Sequence, residues 1–214
     1  MIRVKVCGIT TPEDGVLAAE LGAAAIGLVF WPQSPRAVDV TRAKAIVAAL
    51  PPFVSAVGVF VNQQADALRI AGEVGLAAVQ FHGDESPESY RGIPIRVIKA
   101  IPVRDATAME YARIVPAAAH VLLDAHDPVK RGGTGRTIDW SIAAAIARQR
   151  PVILSGGLNA DNVAGAMTAV RPWAIDVSSG VESAPGRKDA AKLRALFDIV
   201  HPSFSSFGID HEHQ

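Results

Sequence analysis

A single cysteine, Cys7, is the whole thiol complement of the chain, so no intrachain disulfide can form. That suits a reducing compartment and makes the chemistry of this one thiol worth asking about. Net charge is missing too. Lys plus Arg equals Asp plus Glu at 21 each, which leaves no overall field to attract nucleic acid or an anionic membrane, although a small local anion site stays open. Long apolar runs are absent: stretches such as residues 23–31 fall far short of the ~20 residues that span a bilayer. The N-terminal Met1-Ile2-Arg3-Val4 enters a strand pattern directly, with no apolar signal region or cleavage site, so a soluble cytoplasmic protein is expected.

What is there reads as globular. Half of the 214 residues are hydrophobic and a fifth are charged, and alanine is abundant, as where many helices pack closely on a sheet. Short β-branched runs at 4–7, 25–30, 55–61, 78–82, 96–101, 121–124, 152–155 and 175–178 predict strands. They alternate with helical patterns at 12–21, 41–50, 65–74, 87–91, 106–115, 139–148, 160–170 and 188–200. Thr11-Pro12, Asn159 ahead of Ala160, and Gly22 and Gly75 supply start and stop signals; the segment at 87–91 is short.

Eight βα units close a parallel barrel, and no Gly-x-Gly-x-x-Gly follows the first strand to favour a doubly wound open sheet. The expectation is therefore one α/β domain, a (β/α)8 TIM barrel over 1–202, with a polar tail over 203–214. His211 and His213 in that tail read as solvated ends rather than metal ligands.

In such barrels the chemistry lies at the C-terminal ends of the strands. Those ends carry Cys7-Gly8-Ile9-Thr10, then Ser34-Pro35-Arg36, Gln80-Phe81-His82-Gly83, Asp124, Ser155-Gly156-Gly157 and Asp176-Val177-Ser178-Ser179-Gly180. Glycines after strand seven and Ser-Ser-Gly after strand eight let backbone N–H groups approach an anion, which makes Gly156, Gly157, Ser178, Ser179 and Gly180 a candidate phosphate site; tight turns alone are the plainer reading. The loop Arg131-Gly132-Gly133-Thr134-Gly135-Arg136 is long enough to close over a ligand, and equally suits a flexible connector.

Strand alternation separates Arg3, Lys5 and Cys7 from Val4 and Val6. The valines should meet the helices, which puts Cys7 at the barrel mouth and Lys5 below it, with Asp176 on the adjoining eighth strand as its carboxylate. Asp124 ends the apolar run Val121-Leu122-Leu123, where desolvation would raise its pKa; a loop-bracing aspartate is the alternative. With phosphate on strands seven and eight, Asp124 and Cys7 would flank a substrate as proton donor and proton acceptor. A nearby cation or the phosphate-binding end would have to lower the thiol pKa for this.

These motifs, in order and with Gly27-Leu28-Val29-Phe30, Gly132-Gly133-Thr134-Gly135 and Val181-Glu182 added, resemble the phosphoribosylanthranilate isomerase family from residue 5 to about 190. The resemblance implies Cys7 as general base and Asp124 as general acid of an Amadori rearrangement on a phosphorylated sugar–anthranilate, without cofactor or metal. It also implies Arg36 on the anthranilate carboxylate, Asp176 among the substrate-binding residues, and phosphate on the loops after strands seven and eight. His82 either lines the site or only hydrogen-bonds at the end of strand four.

The related histidine-pathway sugar isomerase resembles a pattern with aspartate where Cys7 stands. Indole-glycerol-phosphate synthase needs lysines that strands two and three lack. A metal-dependent epimerase needs more inward histidines than His82. A phosphometabolite-binding barrel without turnover would need neither Cys7 nor Asp124. Oligomeric state is not readable.

Overall fold

Eight parallel strands pair in sequence order and close on themselves, β1 (Arg3–Cys7), β2 (Ala25–Val29), β3 (Ser55–Phe60), β4 (Ala78–Phe81), β5 (Arg96–Val103), β6 (His120–Ala125), β7 (Val152–Leu154) and β8 (Ala174–Val177), with β8 beside β1. The structure, a computed structural model, describes residues 2–125 and 138–202. The expected (β/α)8 barrel is therefore the architecture. The Gly-rich loop from Arg131 to Arg136, most of its linker, and the tail with His211 and His213 lie outside the described residues.

Each strand is covered on both sides, which is why the strands read as nearly continuous apolar runs. Inward residues Val57, Ala78, Ile98, Ala100, Leu122, Ile153 and Ala174 form a thin central layer. Outward residues such as Val4, Val6, Ile26, Leu28, Leu123 and Ile175 join a larger cluster under the helices. The register places Lys5 opposite both Ala25 and Asp176, so the inward row of β1 continues into β2 and β8.

The helices are α1 (Pro12–Glu20), α2 (Val40–Ala49), α3 (Gln64–Val74), α4 (Thr107–Ile114), α5 (Trp140–Ala147), α6 (Val163–Val170) and α7 (Ala190–Val200). Thr11 caps α1 by accepting from the Asp14 N–H at 3.2 Å, with Pro12 in the first turn. Gly75 ends α3 in the left-handed region at φ 79°.

Three expected helices differ. The segment at 87–91 is only a 3-10 turn, Pro87–Tyr90: the residues before it form the loop that Glu85 braces, and Gly92 turns the chain in the left-handed region at φ 77° directly after it. Asn159 does not start α6. Its side chain accepts from the N–H groups of Asp161 and Asn162, an Asx-type turn, and the helix begins at Val163. Lys188 is not helical: it sits in a small hairpin, β9 (Glu182–Ala184) with β10 (Arg187–Lys188), and Asp189 caps α7 behind it.

Candidate active site

At the mouth, one cavity of about 60 Å³ is lined by Cys7, Arg36, His82, Asp124, Asp176 and Ser178 together with Trp31, Gln80 and Ser155. Residues that stand far apart in the sequence thus meet. A wider cavity of about 580 Å³ adjoins it at His82 and Asp124 and runs outward toward Thr107 and Tyr111. The smaller space is the one that the candidate acid and base both line.

Parity carries β1 as expected. Lys5 and Cys7 both point inward, and Lys5 Nζ donates to Asp176 Oδ1 at 2.8 Å, with both side chains buried. Space for the sulfur comes from Gly27 on β2: a Cβ there would lie 2.7 Å from Cys7 Sγ and 3.1 Å from Lys5 Nζ. Burial alone would push the Lys5 ammonium down, but Asp176 and then Cys7 outweigh it and hold the pKa above the ordinary lysine value.

The thiol departs from expectation. Burial pushes the Cys7 pKa up; Lys5 and Lys188 pull it down, Asp176 pushes against them, and the net direction is upward. The expected lowering by a nearby cation is present as a contribution but is overcome by desolvation.

Across the mouth, Asp124 is buried and its Oδ2 lies 3.1 Å from His82 Nε2. Gln80 Nε2 sits 3.0 Å from His82 Nδ1. With the Gln80 amide donating to Nδ1, the neutral ring carries its proton on Nε2 and donates it to Asp124. His82 therefore does both things its position allowed, lining the cavity and bonding at the strand end.

Arg36 reaches the cavity with its fork already engaged. Nε and Nη2 donate to Glu182 Oε1 and Oε2 at 2.8 and 2.6 Å. An incoming carboxylate is left with Nη1 and the second N–H of Nη2 unless it displaces Glu182. Glu182 also accepts from Lys188 Nζ at 2.8 Å, and Lys188 donates to the Cys7 carbonyl at 2.6 Å. Burial would raise the Glu182 pKa, yet Arg36 and Lys188 bring it below the usual carboxylate value. Burial depresses Lys188 despite Glu182.

The sequence assigns Glu182 no role, and it predicts a helix from Lys188 onward where the chain forms a hairpin. For the first, the available signal is a carboxylate directly after Ser178-Ser179-Gly180-Val181 at the end of β8. Nothing in a two-residue strand signals the second.

The candidate phosphate loops lie beside the cavity. Gly156 and Gly157 take φ 92° and 63°, backbone that favours glycine, and among the described residues their N–H groups donate to no backbone carbonyl. Gly180 packs against the Leu158 carbonyl so closely that a side chain would not fit, which locks the loops after β7 and β8 together. Of the five candidates only Ser178 also lines the cavity. Among the described residues no group of three or more His, Cys, Asp or Glu is arranged for a metal ion, and no helix is long and apolar enough to cross a membrane.

A family profile described as N-(5'phosphoribosyl)anthranilate (PRA) isomerase matches residues 4–199. The chain is 52% identical over 195 residues to N-(5'-phosphoribosyl)anthranilate isomerase of Geobacter metallireducens, covering 91% of this chain and 96% of that protein. The Pseudomonas putida protein of the same name is 50% identical over 201 residues, with 93% and 97% covered. Among solved structures, phosphoribosyl anthranilate isomerase from Thermotoga maritima superposes with a TM-score of 0.87 at 44% identity, covering 92% of this chain and 98% of that one. A second such structure, in complex with reduced 1-(o-carboxyphenylamino)-1-deoxyribulose 5-phosphate, gives 0.84 at 42% identity over 93% and 98%.

Proposed function

Since the chain belongs to the N-(5'-phosphoribosyl)anthranilate isomerase family, we propose that Cys7 and Asp124 are the base and acid of its reaction. The protein is an isomerase of tryptophan biosynthesis. It converts N-(5'-phosphoribosyl)anthranilate to 1-(o-carboxyphenylamino)-1-deoxyribulose 5-phosphate by Amadori rearrangement.

The observation that carries the residue assignment is that Cys7 and Asp124 line one cavity from opposite sides. Protonated Asp124 gives its proton to the ribose ring oxygen; the C1′–O bond breaks and an iminium forms at C1′. The iminium acidifies the C2′ hydrogen, and the Cys7 thiolate removes it. The C2′–H electron pair becomes the C1′=C2′ bond of an enolamine, which tautomerises to the ketone. The acid ends as carboxylate and the base as thiol, so a proton returns from one to the other through solvent before the next turnover. His82 orients Asp124 and lines the site.

Arg36 binds the anthranilate carboxylate, sharing its donors with Glu182, and Asp176 contributes to the sugar end. The backbone at Gly156, Gly157, Ser178, Ser179 and Gly180 takes the phosphate. Residues 1–202 are the catalytic barrel and 203–214 a polar tail. The cytoplasm is the compartment this reading favours, because its one thiol must stay reduced to act as base.

The test is loss of phosphoribosylanthranilate fluorescence with purified protein, with and without EDTA. Turnover insensitive to EDTA is expected; absence of turnover would overturn the reading, and EDTA-sensitive turnover would overturn its metal-free chemistry.

A further inference from the structure

The Lys5 ammonium takes no proton in the proposed reaction, yet it is buried in the inner layer of the barrel. Hydration lost by such a group costs several kcal/mol unless anions replace it, and an apolar side chain of similar length would fill the same space without that cost. Two groups lie against Nζ. One is Asp176 Oδ1 at 2.8 Å; the other is Cys7, whose Sγ shares with Nζ the space beside Gly27, 2.7 and 3.1 Å from where a Cβ there would stand. The contact follows from the strand: residues two apart on β1 share one face, and Gly27 on β2 leaves the volume that sulfur and ammonium occupy together.

Lys188 is the other cation near the thiol, and it is placed differently. Its Nζ donates to the carbonyls of Cys7 and Ser178 and to Glu182. The charged groups that bear on this corner are thus Lys5 on β1, Asp176 on β8 and Lys188 on the hairpin. Asp124 and His82 act on Asp176 from across the mouth, and Arg36 acts on Lys188.

We propose that Lys5, anchored by Asp176, is the counter-ion of the Cys7 thiolate, a positioning residue that makes this buried sulfur usable as a base. The inference rests on Cys7 being the base. Asp176 completes the device. When the sulfur takes the C2′ proton its negative charge disappears, and Asp176 keeps the Lys5 ammonium paired, so no bare cation is left inside the barrel at any stage. Lys5 retains its own proton throughout. Lys5 is the strongest influence opposing the desolvation of the thiol.

Because the chain has one cysteine, its thiol can be titrated without background, by thiolate ultraviolet absorbance and by the pH dependence of iodoacetamide alkylation in the full-length protein. The variants are Lys5→Met and, in case a lone buried carboxylate prevents folding, the double variant Lys5→Met/Asp176→Asn, which removes the pair together. In Lys5→Met a rise in the thiol midpoint of at least ~1 pH unit is expected, seen as a ~10-fold slower alkylation at neutral pH; in the double variant the rise is smaller, because the Asp176 charge that pushes the thiol up is removed with the lysine. In Lys5→Met, kcat should fall more than KM changes, and part of the loss should be recovered at higher pH.

A folded variant whose thiol titrates as in wild type would overturn the proposal. The base assignment is tested separately by turnover of Cys7→Ser. If that variant stays active while Lys5→Met shifts the thiol, the counter-ion stands and the base falls.

Discussion

Two buried lysine–carboxylate pairs sit in the barrel wall, one on each side of it. Lys5 and Asp176 are 2.8 Å apart in the interior, and Lys99 and Glu85 are 2.7 Å apart with neither side chain exposed. Their chemistry and geometry nearly coincide. What differs is strand parity: Lys5 lies in the inward row, whereas Lys99 alternates with the inward Ile98 and Ala100 and so faces the helices.

The outer pair is a brace. Glu85 accepts from the N–H groups of Asn62 and Gly83, and Lys99 also donates to the Gly83 carbonyl at 2.6 Å, which ties the loops after β3 and β4 together one residue beyond His82. The inner pair lies beside Cys7, the proposed base. A buried ion pair is thus no sign of function in itself; the atoms next to it decide what it does.

Removing the outer lysine should give the largest effect on the fold. Lys99→Met leaves Glu85 buried without its cation, and about 3–5 kcal/mol of unfolding free energy should be lost in urea titrations, while the folded fraction keeps a near wild-type kcat. A variant as stable as wild type would show that the pair braces nothing.

Next in size, Arg36→Ala should raise KM by roughly tenfold or more with kcat nearly unchanged, because the contact exists in ground and transition states alike. A kcat collapse at fixed KM in steady-state kinetics would contradict the carboxylate-binding role.

The inner pair makes a prediction about pH. Burial holds the Cys7 pKa above the ordinary thiol value, and the thiolate is the reactive form. Below that pKa its population in free enzyme rises ~10-fold per pH unit, so a base-limited kcat/KM should still be climbing at pH values where an ordinary thiol has levelled off. A plateau reached below the ordinary thiol range would reverse the sign of the shift.

The smallest effect belongs to a solvated ion pair. Arg69 bonds to Asp66 and Glu73 on α3 with its side chain 57% exposed, so Arg69→Ala should leave the midpoint of the same urea titration indistinguishable from wild type; a clear shift would show that solvent does not screen the pair.

Much of this comparison is legible in the sequence. Alternation along Arg3-Val4-Lys5-Val6-Cys7 sorts the inward from the outward side chains, and closure of an eight-strand barrel puts Asp176 beside Lys5. The strand ends likewise bring Cys7, Arg36, His82, Asp124 and Asp176 to one mouth.

What was not legible depends on distance or depth. Arg36 and Glu182 are separated by 146 positions, and no local pattern announces that one fills the fork of the other. The hairpin carrying Lys188 is too short to show a period of two, and it abuts a true helical pattern. The direction of the thiol shift is set by how completely neighbouring strands exclude water from Cys7, against charges that sequence alone could only name.

The central claim is that the two faces of the mouth divide acid from base, and turnover of Cys7→Ser and Asp124→Asn measured beside wild type tests it most directly, with folding checked by circular dichroism. Each variant should fold normally and lose at least ~100-fold in kcat, because serine is far too weakly acidic to supply a comparable base and asparagine has no carboxylic proton to give. A folded variant of either kind with near wild-type kcat would contradict the assignment and leave only the barrel and the family standing.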